Sequence, residues 1–267
     1  MMHTARIEMR QRRAAVLIQL IIALAACNPH VFGQINESDT LRLQYRTALT
    51  GNLQSGNLEA LTLIGRLDLS VAPSRRWALK TQNAARYQAF YGRKADNDFL
   101  SQNFVYAGQQ HTFYPFVMAF LLGNFRRKIN FRWIAGPGVT WQVLRRPGQV
   151  MKLSAAAVYE STDFAGQTFN YPVYDGSGHI GTWRATFRLF GQHRLLQQRL
   201  LLFYEAYVQP SVEQSENFRW LADGGVELPL WKGLSFTTHF TYTHENVVIR
   251  PVKSGDMILS FGFSFRK

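Results

Sequence analysis

Residues 234–248 read LSFTTHFTYTHENVV, and this stretch decides the fold class. Five apolar side chains recur on one parity, and the polar side chains between them fall on the other. The apolar set is Leu234, Phe236, Phe240, Tyr242 and Val248; the polar set is Ser235, Thr237, His239, Thr241, Thr243 and Glu245. A period of two residues is typical of a β-strand and does not fit an amphipathic helix. The stretch therefore predicts a strand with one apolar and one polar face.

The same alternation extends outward from this strand along most of the chain. In the last segment, Leu259, Phe261, Phe263 and Phe265 alternate with Ser260, Gly262, Ser264 and Arg266. The other predicted strands are 41–51, 57–70, 76–91, 99–110, 114–126, 130–144, 150–162, 182–189, 198–210 and 218–228, with less distinct faces in 99–110 and 114–126. Most are long enough to cross a bilayer when tilted, and they exceed the usual strand of a soluble sandwich. The pattern predicts an all-β fold: one antiparallel up-and-down transmembrane β-barrel over 41–267, with about twelve strands and a range of 10–14. A secreted β-sandwich is the alternative.

The connections between these strands predict an orientation. Outer-membrane barrels have short periplasmic turns that alternate with longer external loops. If the first strand runs outward, the external set contains 92–98, 163–178, 213–217 and 246–255. An even number of strands then places both termini in the periplasm.

Composition and charge argue against a helical membrane protein and against a nucleic-acid-binding protein. Beyond the N-terminus, no apolar run is long enough to cross a membrane as a helix. The formal net charge is +13, of which the first 33 residues supply +3, so +10 belongs to the rest. For an exported chain this surplus predicts small anions, lipid headgroups and lipopolysaccharide as partners, and no nucleic acid.

The first 33 residues resemble a signal peptide. Basic residues at Arg10, Arg12 and Arg13 precede an apolar run, and cleavage is expected between Gly33 and Gln34. Residues 34–40 would then be a short periplasmic segment. The alternative to this cleavage is lipidation at Cys27. Because Cys27 is the sole cysteine and lies in the targeting segment, we expect neither a disulfide nor a thiolate metal site in the mature chain. No cofactor is expected.

Several short motifs resemble those of a known family of barrels. They are Thr50-Gly51-Asn52, Ser55-Gly56-Asn57, the strand containing Trp77, the strand from Phe131 to Val139, and Tyr207-Val208-Gln209-Pro210. Together they resemble the YdiY-like proteins, often labelled salt-induced outer-membrane proteins, whose biochemical function is unassigned. The resemblance implies a Gram-negative outer-membrane barrel and a link to osmotic stress. Gly136 and Gly138 within it are expected to relieve crowding or permit a bend.

Strand parity predicts which charged residues line the lumen. The basic candidates are Arg42, Arg46, Arg66, Lys80, Arg86, Arg132, Lys152, Arg184, Arg188 and Arg219. The acidic candidates are Asp68, Glu160, Glu205, Asp223 and Glu227. The excess of bases favours an anion pathway, whereas pairing of bases with acids would close the lumen. Both interpretations stay open at this point.

Other candidate sites are weaker. Ser235 and His239 share a face, but four residues of strand separate them by roughly 13 Å, too far for a nucleophile and its base. The basic segment 125–128 is predicted to lie outside, where lipopolysaccharide phosphates could bind it. Aromatic residues at strand ends, such as Trp77, Tyr91, Trp141, Trp231 and Tyr242, are expected to form interfacial girdles, with ligand-stacking platforms as the alternative.

We therefore expect a non-enzymatic outer-membrane barrel, inserted by the barrel-assembly machinery, that is either a small porin-like channel or a structural, stress-related barrel. The alternatives are an outer-membrane lipid hydrolase and a partner subunit that binds through the 163–178 loop. The sequence leaves the oligomeric state open.

Overall fold

A computed structural model of the chain describes residues 37–38, 42–56, 59–197, 199–231 and 234–265. The predicted signal peptide, including Cys27 and the bond between Gly33 and Gln34, lies outside these residues. Within the described ranges, no helix is long and apolar enough to cross a membrane.

Twelve strands account for most of the described residues. They are β1 (Leu43–Gln54), β2 (Ala60–Ser74), β3 (Trp77–Phe90), β4 (Arg93–Ala107), β5 (Phe113–Asn124), β6 (Ile129–Arg146), β7 (Gln149–Phe164), β8 (His179–Leu195), β9 (Leu200–Pro210), β10 (Phe218–Trp231), β11 (Leu234–Glu245) and β12 (Gly255–Phe265). Each strand pairs antiparallel with the next, from β1 to β12, in one up-and-down sheet. The predicted fold class and strand number are confirmed.

The sheet curls around a common interior. The Lys80 ammonium of β3 lies 5.7 Å from the ring centroid of Phe190 in β8. Phe120 of β5 meets Tyr207 of β9, with ring centroids 6.4 Å apart. These strands are not neighbours in the sheet, so their side chains can meet only because the sheet curls around a common interior.

The two faces of the sheet are inverted relative to a soluble protein. In β8, Arg184 and Arg188 are buried, whereas the residues that precede them, Trp183 and Phe187, are 49% and 54% exposed. Charged side chains therefore point inward and large apolar side chains point outward, as in a barrel surrounded by lipid.

Strands β4 and β5 explain why the predicted segments 99–110 and 114–126 lacked distinct faces. Their inward residues form an aromatic core, in which Phe104 and Tyr106 of β4 pack on Tyr114, Phe116 and Phe120 of β5. Their outward residues are apolar as well, including Val105 and Val117. With apolar residues on both faces, the period-two signal weakens.

Gly136 and Gly138 lie where β6 approaches its neighbours closely. A Cβ atom at Gly136 would be 2.0 Å from the carbonyl oxygen of Ala157, and one at Gly138 would be 2.5 Å from Cζ of Phe116. Both glycines therefore relieve crowding, and Gly138 makes room for the aromatic core.

The connections alternate between the two ends of the barrel. At the end that we call the turn end, the described connections are residues 75–76, 108–112, 147–148 and 196–197. At the other end, the loop end, lie the longest connections, 165–178, 211–217 and 246–254. One loop prediction was wrong: 92–98 is not an external loop, because Tyr91 and Gly92 form a tight turn with positive φ angles and β4 begins at Arg93.

Candidate functional site: the barrel interior

The interior at the turn end is built around a carboxylate from outside the strands. Glu37 accepts hydrogen bonds of 2.9 Å from Lys152 Nζ and from the Tyr114 hydroxyl, and its other oxygen lies 3.8 Å from Lys80 Nζ. All three partners project inward from β3, β5 and β7. We call Lys80, Tyr114 and Lys152 the Glu37 socket.

The neighbouring residue Ser38 fixes the same segment to the barrel. Lys152 Nζ donates to Ser38 Oγ at 3.0 Å, and Arg145 Nη2 and Gln110 Nε2 donate to the Ser38 carbonyl at 3.2 and 3.1 Å. Glu37 and Ser38 are both buried. Glu37 and Ser38, the described part of 34–40, therefore pack against the inward face of the strands.

The charge state of Glu37 follows from its surroundings. Burial by itself raises the pKa of this carboxyl group, but the nearby cations Lys152, Lys80 and Arg188 lower the pKa by more. The net effect is a pKa well below the ordinary range of a glutamate. Glu37 is thus a buried carboxylate, ionised at neutral pH.

Midway along the barrel, Arg188 occupies a pocket of aromatic rings. Its guanidinium carbon lies 5.5 Å from the ring centroid of Phe104, 5.3 Å from that of Phe190 and 5.6 Å from that of Tyr207. Glu205 accepts a hydrogen bond from Arg188 Nε at 2.5 Å and another from the Tyr207 hydroxyl at 2.8 Å. Aromatic side chains and an ion pair therefore fill this level of the interior.

Closer to the loop end, three arginines surround one carboxylate. Glu160 of β7 lies 2.8 Å from Arg184 Nε, 2.6 Å from Arg219 Nη2 and 3.4 Å from Arg132 Nε. Arg184 is also held by Asn217, whose carbonyl oxygen and side-chain oxygen both accept from it. The four charged residues are buried and link β6, β7, β8 and β10.

Glu245 extends this network across the barrel. It accepts two hydrogen bonds from Arg132, at 2.9 and 3.0 Å, and lies 3.8 Å from Arg127 Nη1. Arg127 Nη2 in turn lies 3.0 Å from Asp256 of β12. Within the basic segment 125–128, which was predicted to lie outside, Arg127 is therefore buried and points inward.

Two loops pack together at the loop end. A buried cluster contains Phe169, Val247 and Ile249. Beside it, the backbone N–H of Asn170 donates a hydrogen bond of 3.0 Å to the backbone carbonyl of Val248. One loop joins β7 to β8 and the other joins β11 to β12, so their contact spans part of the barrel opening. We call residues 165–178 and 246–254 the lid.

A cavity of about 400 Å³ remains beside the charged network. Residues of β2–β6 and β9–β12 line it, together with Arg126 and Arg127. Its apolar lining includes Ile64, Leu100 and Ile134, and its charged lining includes Arg86, Arg126 and Asp98. The interior is therefore filled on one side and retains an amphipathic space on the other.

The family profile described as "Protein of unknown function, DUF481" matches residues 47–266. The chain belongs to the DUF481 family. This agrees with the YdiY-like resemblance, because DUF481 is the YdiY-like family. No curated protein matches the sequence. Among solved structures, the NanC porin in a rhombohedral crystal form is similar over 82% of this chain and 98% of the porin chain, at 9% identity and a TM-score of 0.48.

The DUF481 barrel buries most of the charged residues that strand parity placed in the lumen. Those buried are Asp68, Lys80, Arg132, Lys152, Glu160, Arg184, Arg188, Arg219 and Glu227, while Arg86, Glu205 and Asp223 are partly buried. Arg42 is exposed and precedes β1, so it lies outside the packed interior. The side chains of Arg46 and Arg66 lie outside the described part of the structure.

Five further carboxylates of this DUF481 chain lie at salt-bridge distance from cations of the interior or of the loop end and were missing from the predicted set. They are Glu37, Asp96, Asp98, Glu245 and Asp256. Glu37 precedes the strands, Asp96 and Asp98 were assigned to a loop, and Glu245 and Asp256 lie at strand ends. The inward parity of Glu245 was readable in residues 234–248 and could have identified it.

The residues considered for hydrolysis are arranged differently from a catalytic triad. His239 Nε2 lies 3.0 Å from Asp223 Oδ2, and the Thr241 hydroxyl donates to the other Asp223 oxygen at 2.7 Å. Ser235 is buried four residues before His239, near the turn end of β11. In the described part of the chain, no group of three His, Cys, Asp or Glu side chains could hold a metal ion.

Proposed function

We propose that this DUF481 protein is an outer-membrane β-barrel with a closed lumen, which serves the envelope as a structural or stress-related barrel without enzymatic activity. The outward face supports the membrane location. Exposed apolar residues recur along it from Leu63 in β2 to Phe261 in β12. A surface of this kind is costly in water and stable in lipid.

Two aromatic bands support the same proposal. Near the loop end, Tyr159 lies between Trp133 and Trp183, with ring centroids 5.6 and 5.4 Å apart. Near the turn end, Phe113 stacks on Trp141 at 5.7 Å. Along β6, Trp133 and Trp141 are ~26 Å apart at ~3.3 Å per residue, and strand tilt reduces this to roughly 20 Å. Such a spacing is close to that of the aromatic girdles at the two membrane interfaces.

The ion pairing of the interior carries the proposal of a closed lumen. The excess of bases that favoured an anion pathway is offset by Glu37, Asp96, Asp98, Glu245 and Asp256, each at salt-bridge distance from a cation. The lid and the aromatic core fill space that a wide pore would need. A paired and packed interior favours a structural barrel over a diffusion pore.

Swelling of proteoliposomes tests this proposal. Vesicles that contain the folded barrel are diluted into isotonic solutions of neutral sugars of increasing size. We expect no swelling above that of empty vesicles, whereas a classical porin in a parallel sample produces rapid swelling. Size-dependent swelling by this protein would reject the closed lumen.

A small anion channel is the second candidate. The cavity of about 400 Å³ and the half-exposed Arg86 and Arg126 at its loop end favour it. Movement of the lid or of the N-terminal segment would be needed to connect this cavity to both ends. Anion-over-cation selectivity of any conductance would support this candidate, because arginine rings favour anions.

The orientation and the remaining alternatives are also testable. We propose that the turn end and both termini face the periplasm, which protease accessibility of an epitope in 165–178 on whole cells would test.

Lipopolysaccharide phosphates are the proposed partners of Arg126 and Lys128 at the loop end. Ester hydrolysis by the folded barrel, absent from a His239→Ala variant, would support the hydrolase instead.

A further inference from the structure

Four polar side chains lie together on the outward face of the sheet, among apolar neighbours. They are Thr81 and Asn83 of β3 and Ser101 and Asn103 of β4, and all four are partly exposed. We infer that these four residues, which we call the amide patch, form the contact surface between two copies of this chain within the membrane. The inference rests on the proposed membrane location and goes beyond the closed barrel, because it names a partner.

The amide patch lies midway along the outward face of its strands. Gln82, between Thr81 and Asn83, is buried on the inward face, so its two neighbours point outward. The same strand carries an exposed aromatic residue near each end, Trp77 at the turn end and Tyr87 at the loop end. The patch lies ~13–20 Å along the strand from both of them at ~3.3 Å per residue. Its polar groups therefore face the middle of the bilayer.

The hydrogen bonds inside the amide patch leave some of its groups unused. The Asn83 side chain donates to Thr81 Oγ1 at 2.9 Å and to a backbone carbonyl of β2 at 3.3 Å. The Asn103 side chain donates to Ser101 Oγ at 3.0 Å and to a backbone carbonyl of β5 at 3.3 Å. Within the described part of the chain, no donor reaches the oxygen of either amide, and neither hydroxyl donates to an acceptor. Two acceptors and two donors thus face the lipid.

A second copy of the chain supplies partners for all four groups. Unused polar groups are costly in lipid, because no water is present to pair with them. Thr81 is registered opposite Asn103, and Ser101 is registered opposite Asn83, so each cross-strand pair carries one hydroxyl and one amide. Two copies inserted in the same direction are related by a two-fold axis along the membrane normal, which brings equal heights together. The hydroxyls of one copy can then donate to the amide oxygens of the other, in both directions.

The surface beside the amide patch permits a close contact. An outward groove of about 320 Å³ borders the patch on its turn-end side, with Leu69, Leu79 and Val105 among its apolar walls. Exposed small side chains, Ala85 and Ala119, lie next to the patch. Small residues let membrane-spanning surfaces approach closely enough for short polar side chains to meet.

Energy transfer between labelled barrels tests the inference. Donor and acceptor dyes are attached to separate samples of Val173→Cys, an exposed lid position, in a Cys27→Ser background. The two samples are refolded together into phosphatidylcholine vesicles over a range of lipid-to-protein ratios. We expect energy transfer above that of random proximity, and we expect it to fall on dilution with lipid as a dimer dissociates.

The variant Asn83→Leu/Asn103→Leu removes the amide oxygens. It should weaken dimerisation by roughly 50-fold, because four hydrogen bonds between the copies are lost. The variant should still fold, since outward leucines suit lipid, and its heat-modifiable gel mobility checks this. Thr238→Val is the matched control, because it removes an outward hydroxyl from β11, outside the patch, and should leave dimerisation unchanged.

The outcomes separate this inference from the proposed function. Failure of the wild type to float with the vesicles would overturn the membrane location, and the dimer with it. Folded barrel that floats but shows only random energy transfer at every ratio would overturn the dimer alone and leave the amide patch to a different protein. A dimer that Asn83→Leu/Asn103→Leu does not weaken would also overturn the inference, because the contact would then lie elsewhere on the barrel.

Discussion

Arg132 of β6 and Glu245 of β11 form a two-point salt bridge across the barrel interior, with nitrogen–oxygen distances of 2.9 and 3.0 Å. The strands that carry them are far apart in the sheet, so this pair ties together opposite walls. Glu160 lies 3.4 Å from the same guanidinium and joins the pair to Arg184 and Arg219.

Loss of one partner of this pair should strongly destabilise the barrel. Glu245→Gln removes a negative charge that compensates the buried guanidinium of Arg132, so we expect the free energy of unfolding to fall by about 3 kcal/mol. Urea-induced unfolding of the barrel in lipid vesicles measures this change. The double variant Arg132→Met/Glu245→Gln should lose less than the sum of the single variants, because it removes the buried charge. Additive losses would show that the two residues are not coupled.

The control for this cycle is an exposed hydrogen-bonded pair. Asp163 and His179 lie 2.7 Å apart, and both side chains are more than half exposed. Asp163→Asn should therefore change the free energy of unfolding by less than about 1 kcal/mol.

The contribution of Glu37 to stability should depend on pH. Its pKa in the folded barrel is held below the ordinary value of 4.5 by Lys152, Lys80 and Arg188, which outweigh the effect of burial. Its stabilising effect is therefore complete above the ordinary pKa and is lost as the pH falls through the folded pKa. The difference in unfolding free energy between the wild type and Glu37→Gln should be constant near neutral pH and should shrink below about pH 4.5.

An exposed loop carboxylate provides the comparison. Glu213 is exposed in the β9–β10 loop. The difference in unfolding free energy between the wild type and Glu213→Gln should therefore stay near zero over the same pH range. A pH-independent effect of Glu37→Gln would contradict the ionised socket.

The lid should open independently of the barrel. Phe169 is fully buried in the lid cluster and packs against Phe164 with ring centroids 5.1 Å apart. Phe169→Ala should remove about 3–5 kcal/mol of local packing. Hydrogen exchange should accelerate at residues 165–178 and 246–254 and stay slow in the strands. Val173→Ala, at an exposed lid position, should leave exchange unchanged; faster exchange throughout the barrel would mean that the lid is not a separate unit.

A charge on the outward face should report the membrane. Val117 of β5 is 53% exposed and lies between the two aromatic bands. In lipid vesicles, Val117→Arg should cost about 2–4 kcal/mol of folding free energy. Leu196→Arg, at an exposed position in the β8–β9 turn, should cost little. Equal costs at the two positions would argue against lipid contact at Val117.

Much of the fold was predictable because strand parity is a local property of the sequence. The alternation of Trp183 and Phe187 with Arg184 and Arg188 sets which side chains point inward, whatever the rest of the chain does. The same reasoning gave the twelve strands and the alternation of short and long connections.

The composition of the interior was less predictable because it depends on contacts across the barrel. Glu37 lies outside the strands, so strand alternation makes no prediction about the direction of its side chain. Only the three-dimensional arrangement brings it to Lys152. Charged residues at Arg93, Asp96 and Asp98 resemble a solvated loop, yet they extend β4, where buried Asp96 lies 3.2 Å from Arg126. For this reason the sequence overstated the positive charge of the lumen.

Conductance across a planar bilayer tests the closed lumen most directly. Purified wild-type barrel, shown to be folded by its heat-modifiable gel mobility, is inserted and recorded in symmetric salt. We predict that it produces no sustained single-channel steps, because the Glu37 socket, the Arg188 pocket and the lid block a continuous path past the cavity. Regular, long-lived ohmic steps from the folded wild-type protein would contradict the account.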